Sequence, residues 1–128
     1  MFNLNDSLQY YLCSSPVDMR KGFDRLCGVV RQGMGRDPLC GEVFVFVNGA
    51  RNRIKLLHWE RGGFVVYHKR LEKGRLSLPK LDETSGSYHL PWAELVFMVE
   101  GYFFENIWRK KRYDFSLKND ANNCHLSW

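Results

Sequence analysis

Basic side chains lie among apolar ones inside two neighbouring segments of the chain, one before and one after a glycine-rich turn. Residues 53–60 and 63–70 are predicted to form antiparallel strands, whose successive side chains point to opposite faces. The turn at 60–63 can close a tight hairpin because Gly62 can adopt a positive φ. A slip of one residue would move the strand side chains to the other face. The predicted register on one face is Trp59 opposite Phe64, Leu57 opposite Val66, Lys55 opposite His68 and Arg53 opposite Arg70.

Further strands are predicted on both sides of this hairpin. Val43–Val47 precedes it, and a four-residue loop over 49–52 would place Val47 opposite Ile54. A two-residue turn at Asn48-Gly49 is the alternative, and the longer loop is preferred because it aligns apolar partners. Shorter extended segments are expected at Leu8–Cys13, Leu76–Leu81 and Tyr88–Leu90.

Two helices are predicted to flank the sheet. From Met19 the apolar positions recur at helical spacing, with Asp18 suited to the N-cap and Gly35 to the C-terminal stop. Pro91 fits the first position of a second helix over 92–100. Both faces of the sheet are apolar, so both need a covering layer. The predicted fold class is α+β: an antiparallel β-meander of four to five strands, with an N-terminal helix packed on the sheet and a short C-terminal helix.

The chain of 128 residues is expected to form a single α+β domain over 1–105, followed by a flexible basic and polar tail over 106–128. A hydrophobic content of 45% favours a folded globule over disorder. The tail contains the block Arg109–Arg112, which could contact phosphates or merely keep the tail soluble.

The formal net charge of +5 favours anionic partners such as nucleic acid, an acidic protein face or anionic lipid, without choosing among them. No apolar run approaches the ~20 residues of a membrane helix, and residues 1–9 lack the features of a signal peptide. A cytoplasmic location is therefore expected. The four cysteines form no Cys-x-x-Cys pair and the four histidines show no metal spacing, so neither a metal nor a cofactor is predicted.

The sequence carries no motif of an established catalytic site. A glycine-rich phosphate loop, a Gly-x-Ser-x-Gly elbow and a His-Glu-x-x-His pair are all absent. The acidic residues are scattered over separate elements, whereas a two-metal nuclease needs carboxylates that converge. His58 and His68 lie in predicted strands without an evident nucleophile. The protein is therefore predicted not to be an enzyme.

Basic residues interleaved with aromatic ones remain as the candidate chemistry. Strand-borne cations have fixed spacing and can contact phosphates, while neighbouring aromatic rings such as Trp59 and Tyr67 can stack on bases. The alternative is that the cations are simply solvated and the aromatic rings belong to the core. Like charges directly opposed, as at Arg53 and Arg70, cost roughly 0.2–1 kcal/mol per pair unless they splay into water or meet an anion. The nucleic-acid-binding candidates are Arg20, Lys21, Arg51, Arg53, Lys55, His68, Lys69, Arg70, Lys73 and Arg75.

Five short motifs occur in one order along the chain: 17–22 (Val-Asp-Met-Arg-Lys-Gly), 43–46 (Val-Phe-Val-Phe), 54–59 (Ile-Lys-Leu-Leu-His-Trp), 63–64 (Gly-Phe) and 69–75 (Lys-Arg-Leu-Glu-Lys-Gly-Arg). Through these five motifs the chain resembles the TnpB-type accessory protein of the insertion sequence sixty-six family, which is the product of the second open reading frame. The resemblance covers about residues 8–104. The resemblance implies a protein encoded beside a separate transposase and needed for efficient transposition. It implies no catalytic residues.

Two hypotheses follow for the partner. The first is a non-enzymatic accessory protein that contacts DNA, mainly through Arg53, Lys55, Lys69 and Arg70. The second is a protein-interaction module that binds the transposase or another element-encoded protein without touching DNA. The doubly apolar sheet favours the second hypothesis if two helices fail to cover both faces.

Overall fold

The computed structural model describes residues 4–81 and 84–100. In chain order they form β1 (Tyr10–Cys13), α1 (Phe23–Gly28), a π-helical turn (Val29–Gly33) that continues α1, β2 (Val43–Val47), β3 (Arg53–Glu60), β4 (Gly63–Arg70), β5 (Ser87–His89) and α2 (Trp92–Val99). The strands form one sheet in the order β4-β3-β2-β1-β5. The predicted α+β class is confirmed. The sheet is mixed because β1 and β2 run parallel, whereas the other neighbours are antiparallel.

The predicted registers of both hairpins are confirmed. Arg53 lies opposite Arg70, and Lys55 lies opposite His68. On the other side of β3, Val47 lies opposite Ile54, so the longer β2–β3 loop is the one that forms. One face of β3 and β4 therefore carries both the apolar pairs near the turn and the basic pairs at the far end.

The predicted start of the first helix is wrong. Helix α1 begins at Phe23 rather than after Asp18, and its N-cap residue, Gly22, makes no side-chain cap bond. The Asp18 carboxylate instead accepts a hydrogen bond from the backbone N–H of Arg20 at 2.9 Å, which closes a local turn. Aspartate favours such turns for the same reason that it favours N-caps, because its short side chain bonds nearby backbone N–H groups. Met19 is buried all the same.

The predicted extended strand over Leu76–Leu81 is also wrong, since these residues join no strand. Pro79 has no backbone donor for a ladder. The segment is nevertheless held, because Leu76 is buried in the core and Leu78 and Leu81 pack against it. The short strand expected near 88–90 forms one residue earlier, as β5.

A helix packs on each face of the central strands. On one face Phe44, Phe46 and Leu57 pack against the residues of α1 and the π-helical turn, including Leu26 and Val30. Burying each such side chain stabilises the fold by about 1.5–3 kcal/mol. On the other face the valines of β2 pack against α2 through Leu95, Met98 and Val99. The helices thus provide the layers that the apolar sheet requires.

The predicted tail over 106–128 and the block Arg109–Arg112 lie outside the described residues, so the domain boundary at 105 stays a prediction. Within 4–81 and 84–100, neither helix has the length and apolar character to cross a bilayer.

Candidate nucleic-acid interface

Three chain segments meet at one end of the sheet, where β2 ends, β3 begins and β4 ends. The backbone N–H of Leu71, just after β4, donates to the carbonyl oxygen of Asn52 at 2.7 Å. The N–H of Leu76 donates to the carbonyl oxygen of Arg51, also at 2.7 Å. These bonds hold the segment after β4 against the β2–β3 loop, so the cations of both lie together. We call this surface the basic end; it consists of Arg51, Arg53, Arg70, Lys73 and Arg75.

The β2–β3 loop is organised by one side chain, that of Asn48. Its Oδ1 accepts hydrogen bonds from the backbone N–H groups of Asn52 and Arg53, each at 3.0 Å. Its Nδ2 donates to Oδ1 of Asn52 at 2.7 Å. Arg51 lies at the apex with a φ of 58° and an exposed side chain. Because local bonds fix the loop, the Arg51 guanidinium is not needed to hold it.

Most cations of the basic end have no neutralising partner in the described part of the chain. Among residues 4–81 and 84–100, no carboxylate lies within 4.0 Å of the charged groups of Arg51, Arg53, Lys73 or Arg75. Arg70 is paired with Glu72 at 3.0 Å, but both side chains are more than half exposed. An exposed pair of this kind contributes at most about 1 kcal/mol and yields readily to another anion. The basic end therefore presents a positive field to solvent.

Lys55, a predicted DNA contact, has two acceptors inside the protein. Its ammonium donates to the carbonyl oxygens of Met19 at 2.7 Å and Lys21 at 3.0 Å. The half-buried side chain thus ties the turn before α1 to the centre of β3. Hydrogen bonds from a charged donor are roughly twice as strong as neutral ones. The geometry makes Lys55 an anchor for the turn that carries Arg20 and Lys21.

Replacing Lys55 by methionine should lower the free energy of unfolding by about 2 kcal/mol, because two carbonyl groups lose a charged donor. Urea denaturation monitored by circular dichroism measures the change. Lys73→Met is the matched control, since Lys73 is exposed and makes no ion pair among the described residues; its stability should change by less than about 0.5 kcal/mol. Equal stability of the two variants would contradict the anchoring role.

His68 lies among cations of the same face. Lys55 is its partner on β3, and Arg53 and Arg70 occupy the neighbouring pair. Burial lowers the pKa of His68 below its ordinary value, and the charges of Lys55 and Arg53 lower it further. The imidazole is therefore neutral at pH 7 and becomes cationic only in more acidic solution.

The turn before α1 brings two further candidates close to this end. Arg20 donates to the Asp18 carboxylate, with 2.7 Å between Nη2 and Oδ2, and this bond lowers the pKa of the Asp18 carboxyl. A groove of about 400 Å³ separates this turn from the β2–β3 loop, with Arg20 on one side and Arg53 on the other. Lys21 is half-buried in the same turn. The structure thus brings Arg20 next to the basic end. The Asp18 carboxylate in the same groove offsets the positive field of the Arg20 guanidinium.

Other candidates lie apart from the basic end. Lys69 faces the opposite side of the sheet and lies 3.4 Å from the Glu100 carboxylate. Trp59 packs edge-on against Phe64, with ring centroids 4.9 Å apart, beside the β3–β4 turn. Trp59 lies six positions along β3 from Arg53, so the Cα atoms of the two residues are about 20 Å apart. Trp59 therefore cannot stack a base next to the basic end.

The opposite end of the sheet carries one well-formed ion pair. The Arg36 guanidinium forms two hydrogen bonds to the Glu42 carboxylate, at 3.0 and 2.9 Å, and lies 3.6 Å from the centre of the Tyr11 ring. The Arg36 guanidinium accordingly lowers the pKa of the Glu42 carboxyl. The contrast between the two ends is that the basic end keeps most of its charge available.

A comparison with protein families identifies the chain. The family described as IS66 Orf2-like protein matches residues 8–109. The chain belongs to the IS66 Orf2-like family. Membership suggests an accessory protein of transposition, and this family is not known to be catalytic.

Two relatives of this IS66 Orf2-like protein come from Sinorhizobium fredii. The uncharacterised protein y4jC is 28% identical over 110 residues, which cover 86% of this chain and 92% of y4jC. The uncharacterised protein y4hO is 26% identical over 101 residues, which cover 79% of this chain and 86% of y4hO. No solved structure matches the chain significantly.

Proposed function

We propose that this IS66 Orf2-like protein is a non-enzymatic accessory protein of transposition that contacts DNA through the basic end. The observation that supports the proposal is the convergence of Arg51, Arg53, Lys73 and Arg75, which come from separate segments and have no carboxylate partner among the described residues. Clustering like charges is unfavourable in the free protein, and a polyanion relieves it. The phosphates of DNA supply such an anion at close and regular spacing.

The contacts are proposed to be with the sugar-phosphate backbone. The basic end consists of arginine and lysine side chains on loops and strand ends, which suit phosphate oxygens. Phosphate contacts position a protein on DNA without reading sequence. We therefore expect similar affinity for a duplex from the element end and for an unrelated duplex of equal length. A gel-shift titration of both duplexes at 50 and 200 mM salt tests this expectation, and absence of binding at the lower salt would contradict the proposal.

The pKa of His68 should rise when DNA binds, because a phosphate beside Lys55 and Arg53 favours the imidazolium form. His68 has its lowered pKa in the free protein and a raised pKa in the complex. At a pH between these two pKa values, DNA binding is accompanied by the uptake of a proton. DNA affinity should therefore increase as the pH falls from the raised pKa of the complex towards the lowered pKa of the free protein.

Nuclear magnetic resonance titration of the imidazole signals, with and without duplex, measures this shift. An unchanged pKa of His68 in a saturated complex would show that no phosphate lies near this pair.

The second candidate is a module that binds the transposase or another element-encoded protein. An uncovered sheet face would favour this candidate, but α1 packs on one face of the sheet and α2 on the other, and of the strands β2, β3 and β4 only β4 is half-exposed along its length. Such a module would associate with its partner in a salt-tolerant way and show no affinity for DNA. The salt dependence of binding therefore distinguishes the two candidates.

A further inference from the structure

A groove of about 360 Å³ lies at the carboxyl ends of the two parallel strands, β1 and β2. These strands and α1 between them form a β-α-β unit, and in open α/β sheets ligands bind outside the carboxyl ends of such strands. The volume falls within the range of small-molecule sites. The described lining consists of Leu12, Cys13, Ser14, Ser15, Pro16, Val47, Asn48, Gly49, Arg51, Leu78, Pro79, Lys80 and Leu81.

The lining combines an apolar wall with positive charge. Leu78, Pro79 and Leu81 form one side, and the exposed cations Arg51 and Lys80 belong to the rim. The described lining includes no carboxylate. A ligand that fits has an apolar, flat or compact body and an anionic group.

Ser14 adds a buried polar group to the groove. The residue is 6% exposed, and its Oγ makes no hydrogen bond to any residue in the part of the chain that the structure describes. Its backbone N–H, in contrast, donates to the carbonyl oxygen of Gly86 at 3.1 Å. Buried hydroxyl groups are normally bonded, and one that is not calls for an explanation. A polar atom of a ligand at the base of the groove would provide the missing bond.

Arg51 belongs both to this groove and to the basic end, which links the groove to the proposed DNA contact. Resting on that proposed function, we propose that the groove binds one nucleotide unit, with its phosphate on Arg51 and Lys80 and its base against the wall of Leu78, Pro79 and Leu81. A volume of about 360 Å³ is of the size of a single nucleotide unit. An unpaired base enters without the cost of leaving a duplex stack. The nucleotide therefore comes from a single-stranded end or overhang.

Fluorescence anisotropy with two labelled probes tests the proposal: a blunt duplex and the same duplex with a four-nucleotide overhang, with unlabelled thymidine monophosphate as competitor. We expect the overhang to bind more tightly than the blunt duplex and thymidine monophosphate to remove that advantage. Lys80→Gln should weaken overhang binding about fivefold while leaving blunt-duplex binding unchanged. Ser15→Glu, at an exposed lining position, should do the same by charge repulsion.

Lys73→Gln is the matched control, because Lys73 belongs to the basic end but not to the groove; it should weaken both duplexes equally. Equal affinity of the blunt and overhang duplexes would overturn the inference while leaving the proposed DNA contact intact. Failure of every DNA probe to bind at low salt would instead overturn the proposed function. Binding of thymidine monophosphate without any advantage of the overhang would likewise overturn the inference, because the groove would then take a free nucleotide and not the end of a DNA strand.

Discussion

Replacing Gly86 by alanine should destabilise the protein by about 3 kcal/mol or more, through two separate effects. Gly86 has a φ of +70°, a conformation that costs an L-residue about 1–2 kcal/mol. An added Cβ would also overlap the backbone carbonyl oxygen of Gly33 at the end of the π-helical turn. Backbone atoms cannot rotate away as a flexible side chain can. The close approach of these two glycines joins the start of β5 to the helical layer.

Gly35→Ala separates the two effects. Gly35 has a φ of +65°, and an added Cβ would meet no atom within 4 Å. This variant should therefore lose only the conformational cost of about 1–2 kcal/mol. Chemical denaturation of the two variants and the wild-type protein provides the comparison. Equal losses would mean that the segment bearing Gly86 moves away from Gly33 at no cost.

Removing three unpaired cations of the basic end should weaken DNA binding by about two orders of magnitude at 0.1 M salt. The variant is Arg51→Gln with Arg53→Gln and Arg75→Gln. Each lost phosphate contact reduces the number of counterions released, so the losses multiply. None of the three side chains makes an ion pair among the described residues, and stability should change little.

A second triple variant controls for net charge. Arg25, Arg31 and Arg61 are also exposed, and they lie on α1, the π-helical turn and the β3–β4 turn. Replacing these three by glutamine removes the same charge from other surfaces. DNA affinity should fall less than about tenfold, because only the long-range field is reduced. If both variants lose affinity equally, binding depends on total charge and not on the basic end.

The central three strands could be predicted from the sequence because two signals agree there. Apolar residues near the turn and basic residues at the far end of β3 and β4, together with the turn at Gly62, favour one register that keeps the apolar side chains together. The parallel pairing of β1 with β2 could not be predicted in this way. Both strands are largely buried, and a short buried strand carries no alternation that reveals its direction.

The candidate site was predictable in its composition but not in its arrangement. Opposed cations at Arg53 and Arg70 follow from strand register alone. The role of Lys55 depends on carbonyl groups more than thirty residues away, and backbone acceptors leave no trace in residue types. The contact between Leu76 and Arg51 likewise joins irregular segments. Local pattern does not encode such contacts, so the grouping of Arg51 with Lys73 and Arg75 required the structure.

The salt dependence of duplex affinity tests the DNA contact most directly. A plot of the logarithm of the association constant against the logarithm of salt concentration should have a slope of about −4 for the wild-type protein, as expected for four to five phosphate contacts. The variant lacking Arg51, Arg53 and Arg75 should show a slope shallower by about 3. A wild-type slope near zero, or an unchanged slope in that variant, would contradict DNA contact through the basic end.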